Sequence, residues 1–88
     1  MVKVNDKAVI ESGLTNANLN VLLRISVIGE RITYMSFRDI GKWLGMNYEN
    51  VRYHFKAFEK ADYLTIEKVN SRRLLFHLNM KKVKELFG

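Results

Sequence analysis

Apolar residues recur every three to four positions through most of this chain and at alternate positions near its end, which separates helical stretches from strands. A first helix is predicted to begin at Thr15 or Asn16, either of which can cap it. Leu19, Leu22, Leu23 and Ser26 follow the spacing of one helical face, Ile25 and Ile28 widen it, and Gly29 stands at the C-terminal cap. Arg31–Met35, short and rich in β-branched and aromatic residues, is predicted to be a strand. Ser36 then caps a second helix, with Asp39 as its capping-box partner and Phe37, Ile40, Trp43 and Leu44 as its apolar stripe. Gly45 ends that helix, and Asn47 caps a third, whose inward residues are Val51, Phe55 and Phe58 and which stops near Ala61 and Asp62.

Beyond Asp62 the period drops to two. Leu64–Glu67 and Leu74–Leu78 alternate, and the polar stretch between them is turn-prone around Asn70 and Ser71, so a β-hairpin with a basic tip is expected. Asn79 caps a last short helix, Met80–Phe87, with Val83, Leu86 and Phe87 on its apolar side. The first dozen residues show no period; Met1–Val4 reads as a short strand or an arm. The expected order is helix, strand, helix, helix, hairpin, helix.

Eighty-eight residues suit one domain with one core. The parts are an N-terminal arm (1–14), a helix-turn-helix (36–61), a hairpin (63–78) and a C-terminal helix (79–87). No apolar run is long enough for a membrane span, and no signal-peptide pattern opens the chain. Without cysteine there is no disulfide framework, thiolate metal site or thiol nucleophile, and a cytoplasmic location is the simplest expectation. The formal charge is +6, divided as +1 over residues 1–35 and +5 over residues 36–88. The excess in the second half favours a polyanionic partner.

Two short helices joined through a glycine, the second leading into a hairpin, describe a winged helix-turn-helix. The run Ile40-x-x-x-Leu44-Gly45-Met46-Asn47-x-x-x-Val51-x-x-x-Phe55-x-x-Phe58 places apolar residues where two steeply crossing helices touch, with Met46 plugging the turn into the core. This stretch, with Val51-Arg52-Tyr53-His54-Phe55 and the Phe58-Glu59-Lys60-Ala61-Asp62 exit, resembles the winged-helix repressors of the ArsR and MarR type over roughly residues 19–79. Gly41 stands where that family usually has alanine, and should weaken its helix by up to ~1 kcal/mol while permitting close packing. Asp62 replaces the usual glycine, and aspartate tolerates the left-handed turn required there. The Cys and His sets of the metal-sensing relatives are absent, so no metal role carries over.

The resemblance implies an α+β, mainly α fold, and a sequence-specific regulator of transcription that binds double-stranded DNA as a homodimer, with the third helix (about 47–61) in the major groove. Its outward residues would be Tyr48, Glu49, Arg52, Tyr53 and Lys56. Arg52 suits guanine, Asn50 suits adenine if it points outward, and Tyr48 and Tyr53 suit a phosphate or a thymine methyl. Asn47 caps the helix and borders a phosphate site. Arg38 and Lys42 would meet the backbone, while Lys68, Arg72 and Arg73 make the wing a backbone or minor-groove probe.

Structural roles account for much of the rest. Phe37, Trp43, Phe55, Phe58 and Phe76 read as core, and His54 as a residue bordering it. His77 alternates with apolar strand residues and has no sequence-near partner. Glu49 serves either cytosine or the helix dipole, and Lys81, Lys82 and Lys84 form a solvated face. No enzymatic motif, cofactor loop or effector pocket is recognisable. The first and last helices, with Val83, Leu86 and Phe87, are the expected dimer contact. A winged helix used for protein contacts is the rival reading, disfavoured by the basic residues of the third helix and hairpin; membrane attachment has only Met80–Phe87 to rest on.

Overall fold

Side-chain caps start four of the helices. Thr15 Oγ1 accepts from the Asn18 amide and Asn18 Oδ1 accepts from the Thr15 amide, both at 3.1 Å. Ser36 and Asp39 form the same reciprocal box at 3.1 Å. Asn47 Oδ1 takes the Asn50 N–H at 2.9 Å, and Asn79 Oδ1 the Lys82 N–H at 3.2 Å. Each bond satisfies an amide that the helix cannot pair internally, and is worth about 1 kcal/mol.

The computed structural model describes residues 6–87. It is α+β and mainly helical: α1 (Asp6–Ser12), α2 (Asn16–Ile28), a 3₁₀ segment (Gly29–Tyr34), α3 (Phe37–Leu44), α4 (Tyr48–Lys60), β1 (Leu64–Asn70), β2 (Arg73–Leu78) and α5 (Met80–Phe87). The two strands form an antiparallel pair in which Leu64 faces Leu78 and Ile66 faces Phe76, with an irregularity between Lys68 and Asn70. The strands run further than their alternation suggested and leave only Ser71 and Arg72 for the turn, where Asn70 Oδ1 accepts from the Arg72 amide at 2.9 Å. Gly45 closes α3 in the left-handed region (φ 71°, ψ 33°), and Asp62 takes φ 65° after α4.

The core lies between α2, the 3₁₀ segment, α3, α4, the hairpin root and α5. Phe37, Phe55 and Phe76 meet there with ring centroids 4.9–5.6 Å apart, and Phe58 joins through Phe55 at 5.9 Å. Edge-on and tilted contacts of this kind add to the area these rings bury. On α2 the inward side chains are Asn18, Val21, Leu22, Ile25 and Ile28, whereas Leu19, Leu23 and Ser26 sit at the margin, so the face is rotated from the one expected.

Several expectations change. Arg31–Met35 is no strand: residues 29–34 wind as a 3₁₀ segment, and the Met35 amide bonds back to the Ile32 carbonyl at 3.1 Å. A strand there would need a regular row of inward residues, but only Ile32 is buried, and the segment lies alongside β2 without joining its ladder. Local composition favoured a strand and the single inward residue favoured a turn. The supposed arm contains α1, which has no fully buried residue and therefore no apolar period to read; Ala8 and Val9 pack partly against the core. Met1–Val4 lies outside the described residues.

Trp43 is not a core residue. It is 47% exposed, because the inward stripe of α3 runs through Phe37, Ile40, Gly41 and Leu44 and Trp43 lies beside it. Val83 and Leu86 are not free for a second copy: both are buried in this chain's own core, on a helix that packs on α1 and α2. Lys82 is no solvated charge either. Its Nζ donates to the Ala61 carbonyl at 2.5 Å and stands 4.5 Å from the centre of the Tyr63 ring. His77 does have a partner, Glu67 Oε1 at 2.9 Å from its Nε2, reached diagonally across the hairpin. No helix among the described residues is long and apolar enough to cross a membrane.

Candidate nucleic-acid interface

With Val51, His54, Phe55 and Phe58 turned inward, α4 presents its opposite side to solvent. Tyr48, Arg52 and Lys56 follow one another at four-residue spacing along that side, and Glu49 and Tyr53 form the neighbouring row. All five are exposed, as is Asn50. Asn47 spends its side-chain oxygen on the helix cap, so its remaining polar group is the side-chain NH₂.

Tyr48 is half exposed, and its ring is set by an edge contact with Phe37, centroids 5.4 Å apart. Phe37 is itself core, so the first turn of α4 is tied to the start of α3 by two aromatic rings. Tyr53, 66% exposed, leans edge-on against His54 at 5.4 Å. Each tyrosine thus has one aromatic contact within the domain and a large part of its surface open to solvent.

Between the start of α3 and the hairpin lies an open cleft of about 620 Å³. Arg38, Tyr48, Arg72 and Arg73 all line it, bringing together residues of three separate elements. Lys42 on α3, Asn47, Asn50, Arg52, Tyr53 and Lys56 at α4, and Lys68 on β1 are exposed but do not line this cleft. Four further polar residues line the cleft that the sequence does not assign to a site: Tyr34, Ser36, Asp39 and Ser71. The strand propensity around Tyr34 says nothing of a site there, Ser36 and Asp39 are explained by their capping box, and Ser71 carries no signal beyond turn propensity.

One acid shares the cleft. The backbone N–H and hydroxyl of Ser36 hold the Asp39 carboxyl below the usual carboxylate value, helped by Lys42 and Arg38, so it is ionised at neutral pH. The cleft thus holds one carboxylate beside the three arginines Arg38, Arg72 and Arg73.

Among the described residues three cations are turned to structure, one of them Arg31, whose Nε donates to the Ile28 carbonyl at 3.4 Å near the end of its own α2. Arg24 on α2 donates to the Leu44 carbonyl at 3.0 Å, and Lys82 donates to that of Ala61, so each of α3 and α4 has a cation from another helix at its negative end. Among the described residues no three His, Asp or Glu side chains gather as a metal-binding group.

No model of a known protein family matches this chain, and neither does any curated protein sequence.

Proposed function

We propose that the chain is a winged helix-turn-helix protein that binds double-stranded DNA and regulates transcription, with α4 as the reading helix and the hairpin as the wing. The observation that carries this reading is the convergence of Arg38, Tyr48, Arg72 and Arg73 on one cleft beside the exposed row Tyr48, Arg52 and Lys56. A duplex seated along α4 would meet side chains with base-reading chemistry on the helix and guanidinium groups on the flank, the division of labour between specificity and positioning that DNA binding requires. Arg52 is the side chain assigned to a guanine edge. Arg72, Arg73 and Lys68 are assigned to the phosphates or the minor groove beyond it.

One such unit covers only a few base pairs, so two copies on a pseudo-palindromic site form the proposed bound state. With Val83 and Leu86 buried internally, that pairing has to use other surface, for which exposed Ile10 on α1 and Val27 on α2 are available.

The test is a titration of a fluorescent random-sequence duplex between about 50 and 200 mM salt. Neutralising ~4–6 phosphates per bound unit makes affinity fall by roughly 10²–10³ across that range. Absence of binding at low salt and micromolar protein would overturn the reading and turn attention to a protein partner.

A further inference from the structure

The side chain of Asn18 joins two elements that the sequence keeps far apart. Its Oδ1 accepts from the Thr15 backbone amide at 3.1 Å, and its Nδ2 lies 2.8 Å from His54 Nδ1 in the buried space between α2 and α4. A backbone N–H can only donate, so the Thr15 contact fixes which end of the Asn18 amide is oxygen. The other end is the NH₂ group, which can also only donate. His54 Nδ1 must therefore be an acceptor, and the ring is the neutral tautomer with its proton on Nε2.

A second proton on this ring has nowhere to go without a loss. Protonated Nδ1 would set an N–H against the N–H of Asn18. Turning the amide over would offer Nδ1 an oxygen but would withdraw that oxygen from Thr15 and break one of the two bonds that cap α2. Burial already pushes His54 below the ordinary histidine value, in the direction that keeps the ring neutral.

Among the described residues, no carboxylate of the elements packed against α4 is bonded to this ring. On α2, Arg24 is engaged with the Leu44 carbonyl. On α3, Asp39 is held by Ser36, and Arg38 and Lys42 are exposed. On β1, Glu67 pairs with His77 and Lys68 is exposed. On α4 itself Glu49, Arg52, Lys56, Glu59 and Lys60 point outward, and the aromatic neighbours of the ring are Tyr53 and Phe58.

We propose that Asn18 and His54 form a proton-sensitive clasp that positions α4, so that acidification loosens the pose of Arg52 and Tyr53 and weakens DNA binding. The effect on DNA rests on the DNA-binding reading; the clasp itself does not. Its sign is unusual, since added positive charge on a DNA-binding surface ordinarily strengthens binding.

The test uses the full chain carrying His77→Gln, which leaves His54 as the one imidazole. Nitrogen-detected NMR at pH 7.5 should find His54 protonated at Nε2 alone. Duplex affinity at fixed salt should then hold at pH 7.5 and fall as the pH drops through the His54 midpoint, which burial sets below the ordinary histidine value, by up to about tenfold per pH unit, and the α4 amides around Arg52 and Tyr53 should shift with the same midpoint. Asn18→Asp keeps an oxygen for the Thr15 amide and offers a carboxylate to a protonated Nδ1. It should raise the His54 midpoint and abolish or reverse the loss of affinity. A proton on Nδ1 at pH 7.5, or identical pH profiles for the two proteins, overturns the clasp. A chain that binds no duplex at any pH overturns the DNA reading, while the tautomer and the opposite shifts of the α4 amide titrations in the two proteins still decide the clasp.

Discussion

Met46 folds back onto Gly41 so closely that a β-carbon on that glycine would stand 2.6 Å from the Met46 carbonyl oxygen, while the Met46 amide donates to the Gly41 carbonyl at 2.8 Å. The glycine is thus a requirement of the α3–α4 turn. By helix propensity alone, alanine at 41 would gain up to ~1 kcal/mol. Here the clash is with backbone, which cannot swing aside. Gly41→Ala is expected to destabilise the fold by about 1–3 kcal/mol in denaturant unfolding, the range for forced overpacking. A stabilised variant would show that the turn relaxes at little cost.

The exposure of Trp43 makes a second expectation. Phe58 is fully buried, and Phe58→Ala should cost about 3–5 kcal/mol, as deletion of a core aromatic ring does. Trp43→Gln should cost within about 1 kcal/mol despite removing a larger ring, since much of that ring already meets water. Comparison of the two chemical-denaturation midpoints decides it.

Among the lysines of α5, Lys82 stands apart. Lys82→Ala loses both the bond to the Ala61 carbonyl and the contact with the Tyr63 ring, and should destabilise by about 1–2 kcal/mol. Exposed Lys81→Ala and Lys84→Ala should stay within about 0.5 kcal/mol of the parent. Equal thermal midpoints for all three variants would assign Lys82 to solvent after all.

On the DNA-binding reading, Arg52 and Arg72 differ in kind. Arg52→Ala should cost about 1–3 kcal/mol on the preferred site and relax selectivity at one base pair. Arg72→Ala should weaken all sequences alike and lower the salt slope by about 1. Binding measured on a selected site and on single-base variants of it, each at several salt concentrations, separates the two effects.

The helix boundaries were legible because caps are local chemistry. Ser36 with Asp39, Asn47, Gly45 and Asp62 each act within a few residues of where they stand in the chain. The outward residues of α4 followed from the same periodicity once Val51, Phe55 and Phe58 were fixed as its inner side. What stayed hidden depends on encounters between distant segments. His54 gave no sign of Asn18, nor Lys82 of Ala61, and the cleft that unites Arg38 with Arg72 and Arg73 exists only after the hairpin folds against α3. The error at Arg31–Met35 has a different origin: propensity there reported the residue types correctly, while no neighbouring strand edge took them up.

The position of Phe76 also bears on how the chain comes to be made. Its ring fills the place between Phe37 and Phe55, and Val83 and Leu86 complete the same core from the far end of the sequence. A growing polypeptide that has released α2, α3 and α4 from the ribosome still lacks these three plugs. Its helices can wind as they emerge, but their apolar faces have no lasting cover until the hairpin and α5 arrive, so the domain closes as one late event.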